Sequence, residues 1–249
     1  MSGTISDFDL KFLEDKGYLL IKDFLSAEEL QPLMDELGGV ALAFGSTSIK
    51  NTPNERIDEL FVDIIEKNPE WSSFLYDRLQ VVPQLLSLPS SQKVRQLSRK
   101  ILKTNNIGVW PRVQLRLDLA KDSKNLIAWH TDYMYNKGTS DSYTFWLPIV
   151  SIDKEMGPIK IVPGSHKKEY LFMKSTEDRR HEFTLPNEEV KKLEVEQIEQ
   201  FQAGDLMVFH SKFLHSGVAN KIDSRARLVC VFRMQNINKL EILLGKKND

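Results

Sequence analysis

The chain has 249 residues, 41% of them hydrophobic and 28% charged, and its 34 basic and 35 acidic side chains leave a formal net charge of -1. That balance excludes the basic excess of a nucleic-acid-binding domain, and no basic patch with interleaved aromatics occurs. No apolar run approaches the ~20 residues that span a bilayer. The expected partner is therefore a small-molecule substrate, with no nucleic acid and no membrane span. The first residues lack a basic stretch followed by an apolar core, so no signal peptide is expected. The one cysteine, Cys230, lies in the apolar run Leu228–Phe232 and reads as a small core filler. A cytoplasmic location is the expectation.

In chain order, Tyr18–Ile21 and Phe24 read as a short extended segment. Ser26-Ala-Glu-Glu29 has the capping-box pattern, followed by Leu30, Leu33, Met34 and Leu37 at helical spacing. Thr52-Pro53-Asn54-Glu55 repeats the device, with Pro53 at the first helical position and Ile57, Leu60, Phe61 and Ile64 behind it. Residues 71–82 and 91–104 continue the helical theme, broken by Pro83 and Pro89. From about residue 109 the period changes. Val113, Leu115, Leu117 and Leu119 alternate with Gln114, Arg116, Asp118 and Ala120, the pattern of a half-buried strand. Further strand-like runs are 125–133, 143–152, 158–163, 205–210 and 226–235. Turn chemistry separates them at Asn136–Gly138, Met156–Pro158, Pro163–Ser165 and Ala203–Asp205.

Short strands punctuated this way predict a sandwich or barrel. The reading is one domain over 1–249, with a helical part over about 1–108 and a β core over about 109–236. Residues 167–203 are polar and weakly patterned, and excursions of that length over a barrel mouth are often lids.

The residues that carry chemistry are His130, Asp132 and His215. A strand over 126–133 would put His130 and Asp132 on one face, with Thr131 turned away. Two imidazoles and a carboxylate are the facial triad that holds non-haem Fe(II) and leaves three positions open. A bidentate 2-oxo acid fills two of these and O2 the third. Such a site needs a cation for the far carboxylate, and arginine fits because its guanidinium pairs with a carboxylate through two bonds. Arg225 and Arg227 both follow His215, before the apolar strand 228–232. Gln114 and Arg116 lie on the polar face of the preceding strand and either line the cavity or face solvent. Tyr133, Tyr135 and Trp146 wall the cavity or pack in the core. His166 reads as a turn-ordering residue, His181 as solvated, Lys167 and Lys168 as hydrated, and His210 as a rival ligand that the layout disfavours.

Four stretches carry a family resemblance: Lys16–Leu30, Trp129-His-Thr-Asp-Tyr133, Gly157-Pro-Ile-Lys-Ile-Val-Pro-Gly-Ser-His166, and Ala203–Gly217 with Asn220. In order and spacing they resemble the phytanoyl-CoA dioxygenase (PhyH) family over nearly the whole chain. The resemblance implies a mostly β fold with flanking helices, a double-stranded β-helix (jelly-roll, cupin-like) barrel with N-terminal helices packed on one side. It implies Fe(II), 2-oxoglutarate and O2, with His130, Asp132 and His215 as metal ligands. The implied reaction is hydroxylation of a small-molecule C–H bond with release of succinate and CO2. A carboxylate at position 132 favours hydroxylation over halogenation, since related halogenases carry a small residue there. The family's arginine stands eleven residues after the second histidine, which here is Ala226. A loop one residue shorter puts Arg225 in the role, the preferred reading, with Arg227 as the alternative. Two other readings stay open: a metal-binding jelly roll without turnover, and an oxygenase of a macromolecular or lipid-linked sugar substrate.

Overall fold

A computed structural model of the chain describes residues 5–45, 56–120, 122, 126–135, 139–174 and 183–239. The helical first part begins with α1 (Asp7–Lys16), opened by a capping box between Ser6 and Asp9. Gly17 closes it at φ 82°, donating its N–H to Leu13 O at 2.8 Å. A Cβ at Gly17 would fall 2.3 Å from His166 Nδ1, so only glycine allows the helix to end against that turn. After β1 (Tyr18–Ile21) the predicted Ser26–Glu29 capping box forms and opens α2 (Ala27–Ala43). Then come α3 (Ile57–Lys67), α4 (Ser72–Leu79), α5 (Pro83–Ser87) and α6 (Gln92–Leu102). Leu30, Leu33, Leu37, Ile57, Phe61 and Ile64 are buried, as the helical spacing predicts. The expected cap Thr52–Glu55 lies outside the described residues.

The β part comprises β2 (Ile107–Val109), β3 (Gln114–Asp118), the single helical turn α7 (Asp132–Tyr135), β4 (Ser142–Pro148) and β5 (Ile159–Ile161). Two short strands, β6 (Met173–Lys174) and β7 (Phe183–Thr184), pair with each other, and α8 (Asn187–Val190) follows. The last elements are β8 (Glu196–Ile198), β9 (Leu206–His210), β10 (His215–Gly217) and β11 (Arg227–Asn236). The larger sheet runs β1-β9-β4-β11-β2, with β3 also on β11, and the smaller runs β10-β5-β8; all these pairs are antiparallel. This is the jelly-roll architecture the resemblance implies.

The period of two sorts β11 between two environments. Leu228, Cys230, Phe232 and Met234 join the core shared with the N-terminal helices. Val229 and Val231 point the other way, into a second core with Trp146, Ile159, Ile161 and Phe209. Cys230 is fully buried, and burial pushes its thiol pKa up, consistent with an inert filler.

Three expectations need correction. The run 125–133 is not a strand: in its described part, only His130 makes a β-type bridge, and Asp132 opens α7. The strand expected over 143–152 ends at Pro148. The excursion 167–203 is partly built into the barrel, because β8 pairs with β5 in the smaller sheet.

Candidate active site

His130 and His215 are fixed to each other before any side chain is considered. Their backbones exchange two hydrogen bonds, His130 N to His215 O at 3.0 Å and His215 N to His130 O at 3.1 Å. Directly opposed residues project to the same side, and the ring centroids lie 4.2 Å apart. Asp132 reaches the same point by another route than the expected alternation. The chain turns helical at Asp132, and Tyr133 N donates to Ser211 O at 2.9 Å, pinning the turn. Asp132 Oδ1 then lies 3.6 Å from His130 Nε2 and 4.0 Å from His215 Nε2. All three residues are buried.

The donor chemistry fits a divalent metal. His130 Nδ1 donates to Ala128 O at 2.8 Å and His215 Nδ1 to Phe213 O at 3.0 Å, which leaves each Nε2 with a lone pair directed at the shared point. Burial, together with the neighbouring His130 imidazole, pushes His215 down to about 3, so its ring is neutral at physiological pH. Burial alone would raise the Asp132 carboxyl. The Arg233 guanidinium and the two imidazoles overcome that effect and hold it well below the usual carboxylate range. Two imidazoles and one carboxylate, with ligand atoms all within 4.8 Å of one another, are the donor set of the Fe(II) facial triad.

These ligands open onto a cavity of about 730 Å³ between the sheets and α4. Gln114, Trp146 and Arg227 line it, as does Arg116. Gln114 is best oriented with its oxygen accepting from Arg112 Nε (3.2 Å) and Nη2 (3.0 Å). Arg227 is buried. Its Nε and Nη2 bond Asp118 Oδ2 at 3.2 and 3.0 Å, while Nη1 donates to Pro158 O at 3.1 Å and Val218 O at 2.9 Å. Asp118 also holds Arg116 at 2.7 Å, and this pair of guanidiniums overcomes the burial that would raise its carboxyl and depresses it strongly.

Arg225, the preferred anchor from sequence, is not in the cavity. It lies in a turn before β11, where strand alternation does not apply. Its Nε bonds Asp58 Oδ2 of α3 at 2.7 Å and its Nη2 donates to Ser151 O at 3.1 Å. Ala226, at the family's position, is fully buried in the core.

His210 is no rival ligand. Its Nδ1 accepts from Lys212 N at 3.1 Å, and its ring packs on Tyr143 and His166. His166 sits in the turn and bonds Glu14 O at 3.1 Å. Tyr135 lines the cavity, whereas the Tyr133 ring lies under Lys212 Nζ at 5.3 Å. His181 lies outside the described residues. Sequence reasoning missed Arg233 and Thr144, which both contact Asp132 Oδ2. The available signal was parity: Arg233 stands six residues after Arg227 on one strand, and Thr144 two before Trp146.

The family model of phytanoyl-CoA dioxygenase (PhyH) matches residues 13–228. The 1-deoxypentalenic acid 11-beta-hydroxylase of Streptomyces exfoliatus is 22% identical over 218 residues, covering 84% of this chain and 73% of that enzyme. Phytanoyl-CoA dioxygenase 1 of Oryza sativa subsp. japonica is 21% identical over 244 residues, covering 88% and 85%. Two solved structures share the fold. The non-heme alpha-ketoglutarate-dependent carbocyclase SnoK from nogalamycin biosynthesis has a TM-score of 0.64 at 18% identity, covering 94% of this chain and 85% of its own. EctD from S. alaskensis, crystallised with 2-oxoglutarate and 5-hydroxyectoine, gives 0.63 at 14% identity, covering 94% and 77%. With the match running through all three ligand positions, this chain belongs to the phytanoyl-CoA dioxygenase (PhyH) family of Fe(II)- and 2-oxoglutarate-dependent oxygenases.

Proposed function

We propose that the protein hydroxylates a C–H bond of a small molecule, with 2-oxoglutarate and O2 consumed and succinate and CO2 released in the same cycle. The observation that carries this reading is the buried His130, Asp132 and His215 set opening onto a cavity of about 730 Å³. That space is of the size that takes up small ligands. Iron, when bound, supplies the O2 chemistry that no side chain can perform.

The chain's own residues hold, orient and exclude. His130 and His215 present their Nε2 atoms to the shared point, with rings fixed by backbone carbonyls. Arg227 is proposed as the anchor for the far carboxylate of 2-oxoglutarate. Together with Arg116 and the bridging Asp118 it forms a group of net charge +1, which the incoming carboxylate neutralises. Gln114 and Trp146 wall the same cavity. Phe183, from the part of the 167–203 excursion before β8 that is proposed as a lid, lines the same cavity, and its carbonyl accepts from Tyr135 Oη at 3.2 Å. A lid there would keep water from the reacting centre.

The relatives whose names give an activity act on small molecules, 1-deoxypentalenic acid in one case. The shared core of helices and larger sheet supports one domain. No helix among the described residues is long and apolar enough to cross a membrane, and the buried unpaired Cys230 is compatible with a reducing compartment such as the cytoplasm.

The test is succinate release from 2-oxoglutarate with Fe(II) and a panel of small carboxylates, amines and sugars. Turnover that rises with one panel member and falls to background in His215→Ala supports the proposal. Succinate formation equal in wild type and variant contradicts it.

A further inference from the structure

The side chain of Asp132 is held from behind by a pair of residues on neighbouring strands. Arg233 on β11 and Thr144 on β4 are directly opposed in the sheet register, and both point into the barrel. Arg233 Nε lies 3.0 Å and Nη2 2.9 Å from the same oxygen, Asp132 Oδ2. The hydroxyl of Thr144, itself buried, donates to that oxygen as well. Three donors converge on one carboxylate oxygen, which has about two lone-pair sites to offer. The other oxygen, Oδ1, is the one nearest both imidazole Nε2 atoms.

We propose that Arg233, with Thr144, is a positioning residue that commits Asp132 Oδ2 to the protein and so restricts Asp132 to single-oxygen ligation through Oδ1. The proposal rests on the metal-site reading above. Its functional sense follows from counting positions. Carboxylates bind metals through one oxygen or two. An octahedral ion held by two imidazoles and a chelating carboxylate keeps two positions open, too few for a bidentate 2-oxo acid and O2 together. With Oδ2 saturated by the sheet, three stay open. The guanidinium does this better than a lysine ammonium would, because its planar edge directs two N–H groups at one point.

The experiment titrates Co(II) into the metal-free protein, reading affinity and the visible ligand-field spectrum, with near-UV circular dichroism confirming the fold. Arg233→Gln is expected to weaken Co(II) binding by about 10- to 100-fold and to change the band pattern. Thr144→Val, nearly isosteric, should shift the spectrum in the same direction by less. Arg233→Lys should recover part of the affinity without restoring the wild-type spectrum. Arg225→Gln, which removes an ion pair of similar burial away from the metal ligands, should leave both readouts unchanged. Wild-type affinity and spectrum in folded Arg233→Gln and Thr144→Val would overturn the proposal; if the arginine variant does not fold, Thr144→Val decides alone. Wild-type protein that takes up no Co(II) would overturn the metal reading itself, and this inference with it.

Discussion

At the scale of single residues, two arginines two positions apart have opposite fates because a strand begins between them. Arg225 is in a turn and ties the barrel to α3 through buried Asp58, while Arg227 is inside β11 and faces the cavity. Replacing Arg227 with Gln is expected to raise the KM for 2-oxoglutarate at least tenfold with little change in the affinity for metal. Replacing Arg225 with Gln leaves the Asp58 charge buried, which costs about 3 kcal/mol, and should lower the urea midpoint while the KM stays near wild type. Steady-state kinetics beside urea unfolding separates the two, and a larger KM effect at Arg225 would return the anchor to that position. The choice was not legible in the sequence. Both residues share the same parity, and only the turn ending at Ile222–Arg225 shows that parity has no meaning for the first of them.

At the scale of elements, the turn before β5 packs directly on the loop that seats Arg227. Gly157 has φ +66°, and a Cβ there would fall 2.3 Å from Ala219 O and 2.6 Å from Val218 O. Val218 O is one of the carbonyls that hold Arg227 Nη1. Gly157→Ala therefore combines backbone strain of about 1–3 kcal/mol with displacement of Arg227, the proposed anchor. It should lower the thermal midpoint and raise the 2-oxoglutarate KM several-fold. A variant with lowered stability and an unchanged KM would separate this turn from the anchor's seat. Elements whose side chains repeat with a clear period were readable in advance. The Ser26 capping box opens α2, and the alternation through Leu115 and Leu117 gives β3 with Gln114 and Arg116 on the cavity side. The approach to His130 was not readable, because a tripeptide cannot show that its second ligand arrives by a helical turn instead of by alternation. β8 was hidden for a related reason: three residues in a polar stretch leave no period to detect, and their strand exists only because β5 offers a free edge.

At the scale of the molecule, the helical part and the barrel share one buried cluster running from Ile5 to Met234. The two are also joined on another side at His210. Its backbone N–H donates to Gly17 O at 3.0 Å, and its half-buried ring packs against Tyr143 and His166. Burial, aided by His166 and Lys212 and opposed by Asp141, pushes His210 down to about 4 from 6.5. A histidine with a depressed folded pKa binds its proton more readily in the unfolded chain. Its contribution is therefore fully present above pH 6.5 and is lost as the pH falls toward about 4. The loss amounts to about 3 kcal/mol across that window. Urea unfolding of the wild type from pH 7 to pH 4 should show the decline, and His210→Gln should flatten it. Parallel pH profiles for the two proteins would remove His210 as the cause.

The central claim concerns His130, Asp132 and His215, brought together by a two-residue bridge and one helical turn. The most direct measurement is the visible absorption of the Fe(II)-loaded protein as 2-oxoglutarate is added without oxygen. A charge-transfer band that appears in the wild type and is absent in His130→Ala is the predicted result. A band of equal intensity in that variant, or none in the wild type at saturating co-substrate, would contradict the account.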